Sequence, residues 1–281
     1  MDRRLVQYIS ALLSNANLTG FVSGRIYQGV SKHVCVPGLN CYSCPAAIGA
    51  CPLGSLQTIL ASSQYTISYY VTGTLLLFGV FMGRLVCGWL CPFGLIQELL
   101  NKLPSPIWTI PRWAGYIKYL ILIVFVLLLP MFFVNKVGMG DPTFCKYICP
   151  AGTLEGGIPL LASHPQLRDA AGYLFLNKFL ILIMVLMLSV VSFRPFCKIV
   201  CPLGAIYGLF NPISMYRFQV DADKCISCGT CARNCRMSVA IYKEPGSWEC
   251  IRCGECRTGC PTGAITTTFK LGGNEYGEVK N

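Results

Sequence analysis

Eight cysteines between positions 225 and 260 leave the end of this chain few folds to choose from. Cys225, Cys228, Cys231 and Cys235 are followed by Cys250, Cys253, Cys256 and Cys260, so the spacing C-x2-C-x2-C-x3-C occurs twice. Three cysteines two residues apart wrap one iron–sulfur cube. The fourth lies too far along to close the same loop and ligates the other cube. The spacing therefore predicts two ligand sets: Cys225, Cys228, Cys231 and Cys260, and Cys250, Cys253, Cys256 and Cys235. Zinc ribbons use two C-x2-C knuckles roughly 15–20 residues apart, a pattern that eight evenly stepped cysteines do not fit. The second copy ends in Cys260-Pro261 but the first in Cys235-Arg236, which leaves the first loop's shape open.

The rest of the chain is of another kind. Hydrophobic residues make up 54% and charged residues 12% of its 281 positions, where a soluble protein carries about 25% charge. Ten of the eighteen cysteines fall outside the 225–260 region. On this scale, in a chain without a signal peptide in its first 22 residues, they point to metal ligation or redox work rather than a disulfide scaffold. The formal charge of +11 counts cysteines as neutral. Four cubes at about −2 each would bring it to about +3, so nucleic acid is a poor reading of the basicity.

Three stretches, Ile67–Val86, Tyr116–Val134 and Tyr173–Phe193, have the ~20 apolar residues that crossing a membrane requires. A fourth, Leu5–Val22, is interrupted by Gln7, Ser14, Asn15 and Asn17, and either spans behind Arg3 and Arg4 or lies on the surface as an amphipathic helix. The expected architecture is a mainly α membrane protein. It has a four-helix bundle with broken, cysteine-bearing turns over residues 1–215, a small α+β domain over 216–270 and a polar tail over 271–281. Iron–sulfur assembly puts the C-terminal domain in the cytoplasm. Alternation of the spans then puts Cys87, Cys91, Cys197 and Cys201 inside, and Cys145, Cys149 and the Cys35–Cys51 run outside, about 30 Å of hydrocarbon away.

One turn recurs four times: CPLGSLQ from Cys51, CPFGLIQ from Cys91, CPAGTLE from Cys149 and CPLGAIY from Cys201. A cysteine before proline leaves the helical region, and proline then opens a new helix at its first position. The glycine admits a close neighbour. The sulfur thus sits near a helix N-terminus, where a thiolate is favoured. Cys87, Cys145 and Cys197 stand four residues before three of these turns, a spacing that puts both sulfurs on one helical face. Two pairs make a cube site. The inner one is Cys87, Cys91, Cys197 and Cys201. The outer one takes Cys145 and Cys149 with Cys44 and Cys51, or with Cys35 or Cys41 as alternative ligands. Inert thiols inside and disulfides outside are the competing reading.

The twin motifs resemble a bacterial-type two-cluster ferredoxin. From Arg3 to Ile265, through GLNCYSCP, FMGRLVCGWLCPFGLIQE, FCKYICPAGTLEGG and RPFCKIVCPLGAIYG, the chain resembles membrane polyferredoxins of the NapH type and, more loosely, the membrane half of NosR. The resemblance implies an integral protein of the inner (cytoplasmic) membrane that carries electrons through [4Fe–4S] clusters, two in the ferredoxin domain and one or two more in the membrane domain. NapH-type chains usually show two C-x3-C-P motifs; here there are three, plus the Cys44/Cys51 variant.

His33 and His164 are the only histidines and no C-x2-C-H occurs, so haem is not expected. No dinucleotide or phosphate-loop fingerprint is present. The leading reading is an electron conductor from a soluble ferredoxin or flavodoxin-like donor to an outer-face flavin- or metal-bearing protein. A quinol dehydrogenase or quinone reductase subunit, and a thiol–disulfide or metal-handling maturation factor, are the alternatives. Arg233, Arg236, Arg252 and Arg257 lie among the ferredoxin ligands and suggest an acidic docking partner. Glu98 and Glu155 follow two of the cysteine turns and read as interfacial helix residues.

Overall fold

The computed structural model describes residues 2–62, 69–106, 108–133, 140–169 and 172–270. The polar tail at 271–281, and positions 67, 68 and 134 of the expected spans, lie outside the described residues. The helices that position the sites are α1 (Arg3–Ser14), α2 (Pro52–Leu60), α3 (Tyr69–Met82), α4 (Pro92–Leu100), α5 (Arg112–Phe132), α6 (Tyr173–Val191) and α7 (Pro202–Phe210).

Two of these, α5 and α6, are long and apolar enough to cross a membrane. Only 28% and 17% of their apolar windows are buried, so most of their apolar surface faces outward, unlike the core helix of a soluble protein. Ile123, Leu180 and Met187 are among the exposed residues. The third expected span is represented by α3, whose 14 residues reach about 21 Å. The fourth does not form one helix. α1 stops after 12 residues, about 18 Å, at Asn15, whose side chain and amide both turn back to Ala11 O. A separate turn, Thr19–Ser23, follows. α1 is amphipathic, with Gln7 buried against the protein and Leu5, Ile9, Leu12 and Leu13 exposed.

α5 changes pitch where its sequence demands it. Residues Leu122–Leu128 form a π-helical stretch, and Pro130 lacks the amide that Phe125 O would meet five residues on. The Thr143 hydroxyl donates to that carbonyl instead. An apolar helix keeps such a break where the freed group finds a partner.

The C-terminal domain is small. β1 (Tyr216–Val220) and β2 (Ile265–Phe269) pair antiparallel, with Tyr216 opposite Phe269 and Val220 opposite Ile265. Alternation along β1 turns Phe218 and Val220 into a core shared with Ile241, Ile265, Cys231 and Cys256. Gly229 and Gly254 sit at φ +69° and +90° immediately before two short helical turns, Thr230–Arg233 and Glu255–Thr258.

This domain is welded to the helical part. Arg252 is buried and donates to Met82 O, Asn211 O and Ser214 Oγ. Asn211 in turn donates to Ser247 O and Cys250 O and accepts from the Arg84 amide. The expected docking patch therefore loses Arg252, which is a structural rivet. Arg233 and Arg257 remain near the surface.

Candidate iron–sulfur sites

The ferredoxin cysteines gather in two groups. One small pocket is lined by Cys225, Cys228, Cys231 and Cys260, and another by Cys235, Cys250, Cys253 and Cys256. Equivalent residues of the two wrapping loops, Ser227 and Arg252, share a left-handed backbone at φ +52° and +53°. Such strain persists where surrounding structure imposes it. The Thr230 hydroxyl holds the Cys228 thiol below its usual range, whereas burial pushes Cys250 up to about 11. The loop left open by Arg236 closes with the Val239 amide on Cys235 Sγ at 3.4 Å.

In the helical part the repeated turn has one build. A five-residue helical turn (Leu85–Trp89, Thr143–Tyr147 or Pro195–Ile199) carries the first cysteine. The second cysteine is not helical: Cys51, Cys91 and Cys201 are extended, at ψ 123°, 117° and 110°, and the following proline opens α2, α4 and α7. The two sulfurs therefore meet through a chain reversal, rather than along one helical face as the spacing suggested.

Cys87, Cys91, Cys197 and Cys201 interact electrostatically in all pairings, and each is buried. Their frame is reciprocal. Arg84, three residues before Cys87, donates to Cys197 O at 2.9 Å; Arg194, three residues before Cys197, donates to Cys87 O. A Cβ on Gly204 would lie 3.3 Å from the Arg84 guanidinium, and one on Gly94 3.1 Å from that of Arg194. The glycine of C-P-x-G thus makes room for the arginine of the opposite half. Both arginines are fully buried and paired, Arg84 with Glu249 and Arg194 with Glu98, at 2.7 Å each. Arg3 and Lys118 complete these pairs, Arg3 on Glu98 and Lys118 on Glu249. Glu98 is consequently a buried counter-ion, not the interfacial residue expected.

A glutamine six residues after the second cysteine adds a further link. Gln97 Nε2 donates to Cys197 Sγ at 3.3 Å while its Oε1 accepts from the Phe196 amide at 3.2 Å. Gln57 does the same to Cys145 Sγ, at 3.2 Å, and the Phe144 amide, at 2.9 Å. Glu155 holds that offset in the third copy and accepts from the Cys41 amide at 2.6 Å. Burial raises its carboxyl to about 7. Tyr207 holds it in the fourth, donating to Pro37 O at 3.0 Å.

On the other side, Cys145, Cys149 and Cys51 come together with Cys41. Cys44, the residue expected there, is buried beside Ala46 and Ala47 with its sulfur 3.7 Å from Asn15 Oδ1. Cys35 lies near Ser55 and Tyr70. All eighteen cysteines are unpaired thiols.

These groups fit iron–sulfur cubes. Arg84 Nε and Arg194 Nε are buried donors without an acceptor, at equivalent places in the two halves. An anionic group bearing sulfide would supply acceptors there. Amide and side-chain donors to the cysteine sulfurs are the second feature such clusters use. Among the described residues no three His, Cys, Asp or Glu close tightly enough for a single metal ion. The ferredoxin quartets are no exception, since ligands of a cube are spaced by the cube.

Comparison with known proteins agrees. A family described as "4Fe-4S binding domain" matches residues 67–111, 117–159 and 176–216, one C-x3-C-P turn in each. A second family of the same description matches 218–238. Three relatives can be named. The putative electron transport protein YccM of Escherichia coli is 27% identical over 233 residues, 78% of this chain and 58% of its own length. The regulatory protein NosR of Stutzerimonas stutzeri is 28% identical over 169 residues, 56% of this chain and 20% of its own. The ferredoxin-type protein NapH of Escherichia coli is 26% identical over 193 residues, 66% of this chain and 59% of its own. The chain is a NapH/NosR-type 4Fe–4S protein. It spans less than two thirds of each of these relatives. No solved structure matches it.

For this NapH/NosR-type chain, the grouping of the cysteines was legible from spacing except at Cys44, whose expected place Cys41 takes. The arginines at −3, the glutamines at +6 and the lysines Lys118 and Lys178 of the parallel runs IKYLILI and NKFLILI were not read. The offsets shared by the two arginines and by the two glutamines, and the repeated K-x-L-I-L-I run, were the available signal.

Proposed function

We propose that this protein is an integral membrane electron carrier that receives single electrons at its ferredoxin domain and passes them to the inner quartet. Its relatives named as an electron transport protein and a ferredoxin-type protein support the carrier role. The observation that carries the reading is a backbone contact. A Cβ on Gly88, between Cys87 and Cys91, would fall 2.3 Å from Ile251 O, between Cys250 and Cys253. The second ferredoxin ligand loop thus lies directly on the inner ligand turn, with Trp89 Nε1 donating to Arg252 O at 3.0 Å. A [4Fe–4S] cube on four thiolates supplies a one-electron couple. Arg84, Arg194 and Gln97 orient the ligands, and the packed side chains around them exclude water.

In this reading the ferredoxin faces the cytoplasm and its surface arginines, Arg233 and Arg257, receive an acidic ferredoxin or flavodoxin-like donor. The outward apolar faces of α5 and α6 meet lipid. A flavin- or metal-bearing protein on the outer side takes the electrons. A second reading, exchange with quinone, is favoured by a cavity of about 590 Å³ lined by Arg112, Tyr119, Lys198, Trp248 and Glu249. It adjoins both Cys197 and Cys250 in sequence.

The test is Cys87→Ser and Cys197→Ser, made singly and studied anaerobically. Each should remove the same EPR centre and about four irons per chain, leaving the ferredoxin centres intact. Unchanged iron in both variants would end the proposal, because no acceptor would then adjoin the ferredoxin.

A further inference from the structure

The run Cys35–Cys51 lies outside every family match, yet two of its cysteines complete a site. We propose that Cys41, Cys51, Cys145 and Cys149 ligate a fourth [4Fe–4S] cluster, next to the inner one rather than at the far membrane face.

These four thiols interact in all pairings, whereas among the leading interactions of the four Cys44 enters only at Cys41. They line a cavity of about 680 Å³ that neither Cys35 nor Cys44 lines. The glycines of the turns frame it. A Cβ on Gly152 would stand 3.8 Å from Cys41 Sγ and 3.9 Å from Cys149 Sγ, and one on Gly54 3.9 Å from Cys145 Sγ. Donors face the sulfurs: Gln57 Nε2 on Cys145, and the amides of Gly152 on Cys149, Gly54 on Cys51 and Ser43 on Cys41. Lys178 Nζ, held on Cys145 O at 3.1 Å, supplies positive charge for an anionic cube. Glu155 clamps the Cys41 amide and so fixes which cysteine of C-Y-S-C enters. On ligation the four thiols give up their protons.

Proximity to the inner quartet follows from one loop. The amide of Leu39 faces Cys91 and the next amide, of Asn40, faces Cys51. A Cβ on Gly38 would come within 2.9 Å of Cys91 Cα. Consecutive amides with a sulfur on each keep the two cysteine sulfurs on the order of 10 Å apart. Tyr207, fully buried, interacts electrostatically both with Cys87 and Cys91 and with Cys51 and Cys35. The expectation of two sites about 30 Å apart at opposite faces gives way to a close pair.

This extends the carrier reading by one site and is tested apart from it. The full chain is reconstituted anaerobically with iron and sulfide. Iron, acid-labile sulfide and the EPR of the dithionite-reduced protein are compared for wild type, Cys41→Ser, Cys44→Ser and Cys35→Ser. The expected result is about sixteen irons in wild type, Cys44→Ser and Cys35→Ser, and about twelve in Cys41→Ser. Spin–spin broadening of the inner signal should vanish in Cys41→Ser alone. Two results overturn the proposal. One is about twelve irons in wild type with the inner, Cys87-dependent signal present. The other is iron loss in Cys44→Ser but not Cys41→Ser. Both leave the carrier reading standing.

Discussion

The inner and outer cysteine quartets are built from the same turn and differ in what surrounds it. The inner one is caged by two fully buried arginines, each reaching across to a carbonyl of the opposite half and each tied to a glutamate. The outer one has a single lysine, Lys178, in the corresponding role, and a carboxyl, Glu155, where the inner one has the Tyr207 phenol. Identical ligands in unequal fields hold electrons unequally, because charge and hydrogen bonds around the sulfurs tune the couple. The inner quartet is the more positive of the two and should hold an electron more readily.

The largest effect should come from the cage. Arg194→Leu leaves Glu98 with Arg3 alone and strips Cys87 O of its donor. Breaking a buried pair costs about 3–5 kcal/mol, and Lys178→Leu, with one carbonyl contact, should cost far less. Thermal unfolding in detergent measures both. Equal losses would abolish the distinction between the quartets.

Next are the glutamines, which serve both quartets alike. Gln97→Leu and Gln57→Leu each orphan a buried amide, Phe196 or Phe144, at about 1–3 kcal/mol, and remove an N–H···S contact. Redox titration should show the inner potential falling in the first variant only. A shift of the inner centre by Gln57→Leu would show that the two fields are not separate.

The smallest effect carries opposite signs. Gly94→Ala pushes into the Arg194 guanidinium at 3.1 Å, and overpacking of about 1–3 kcal/mol outweighs the helical gain of about 1 kcal/mol. A Cβ on Gly54 meets ordinary contacts at 3.8–3.9 Å, so Gly54→Ala should stabilise by about 0.5–1 kcal/mol. The same melting experiment decides it.

What could be read beforehand followed the range of each interaction. The two ferredoxin cysteine groups were legible because a cube is wrapped by residues two apart. The inner quartet was legible because its halves repeat. The choice of Cys41 over Cys44 was not, since it depends on Glu155, more than a hundred residues away, holding the Cys41 amide. The depth of the outer site was hidden as well. Alternation of spans counts crossings and says nothing about a loop such as Gly38–Cys41 folding back to the inner turn. Leu5–Val22 was legible as apolar, but Asn15 ends its first helix with a side-chain bond that hydropathy does not register.

The absence of any side chain on Gly88 has a kinetic consequence. With Ile251 O pressed against it and Arg252 riveted to Met82, Asn211 and Ser214, the ferredoxin cannot swing on a tether to fetch its cargo. It is a fixed socket. In the proposed carrier, transfer from the second ferredoxin loop into the helical part then involves no domain travel, and thickening the solvent with glycerol should slow only the arrival of a soluble donor.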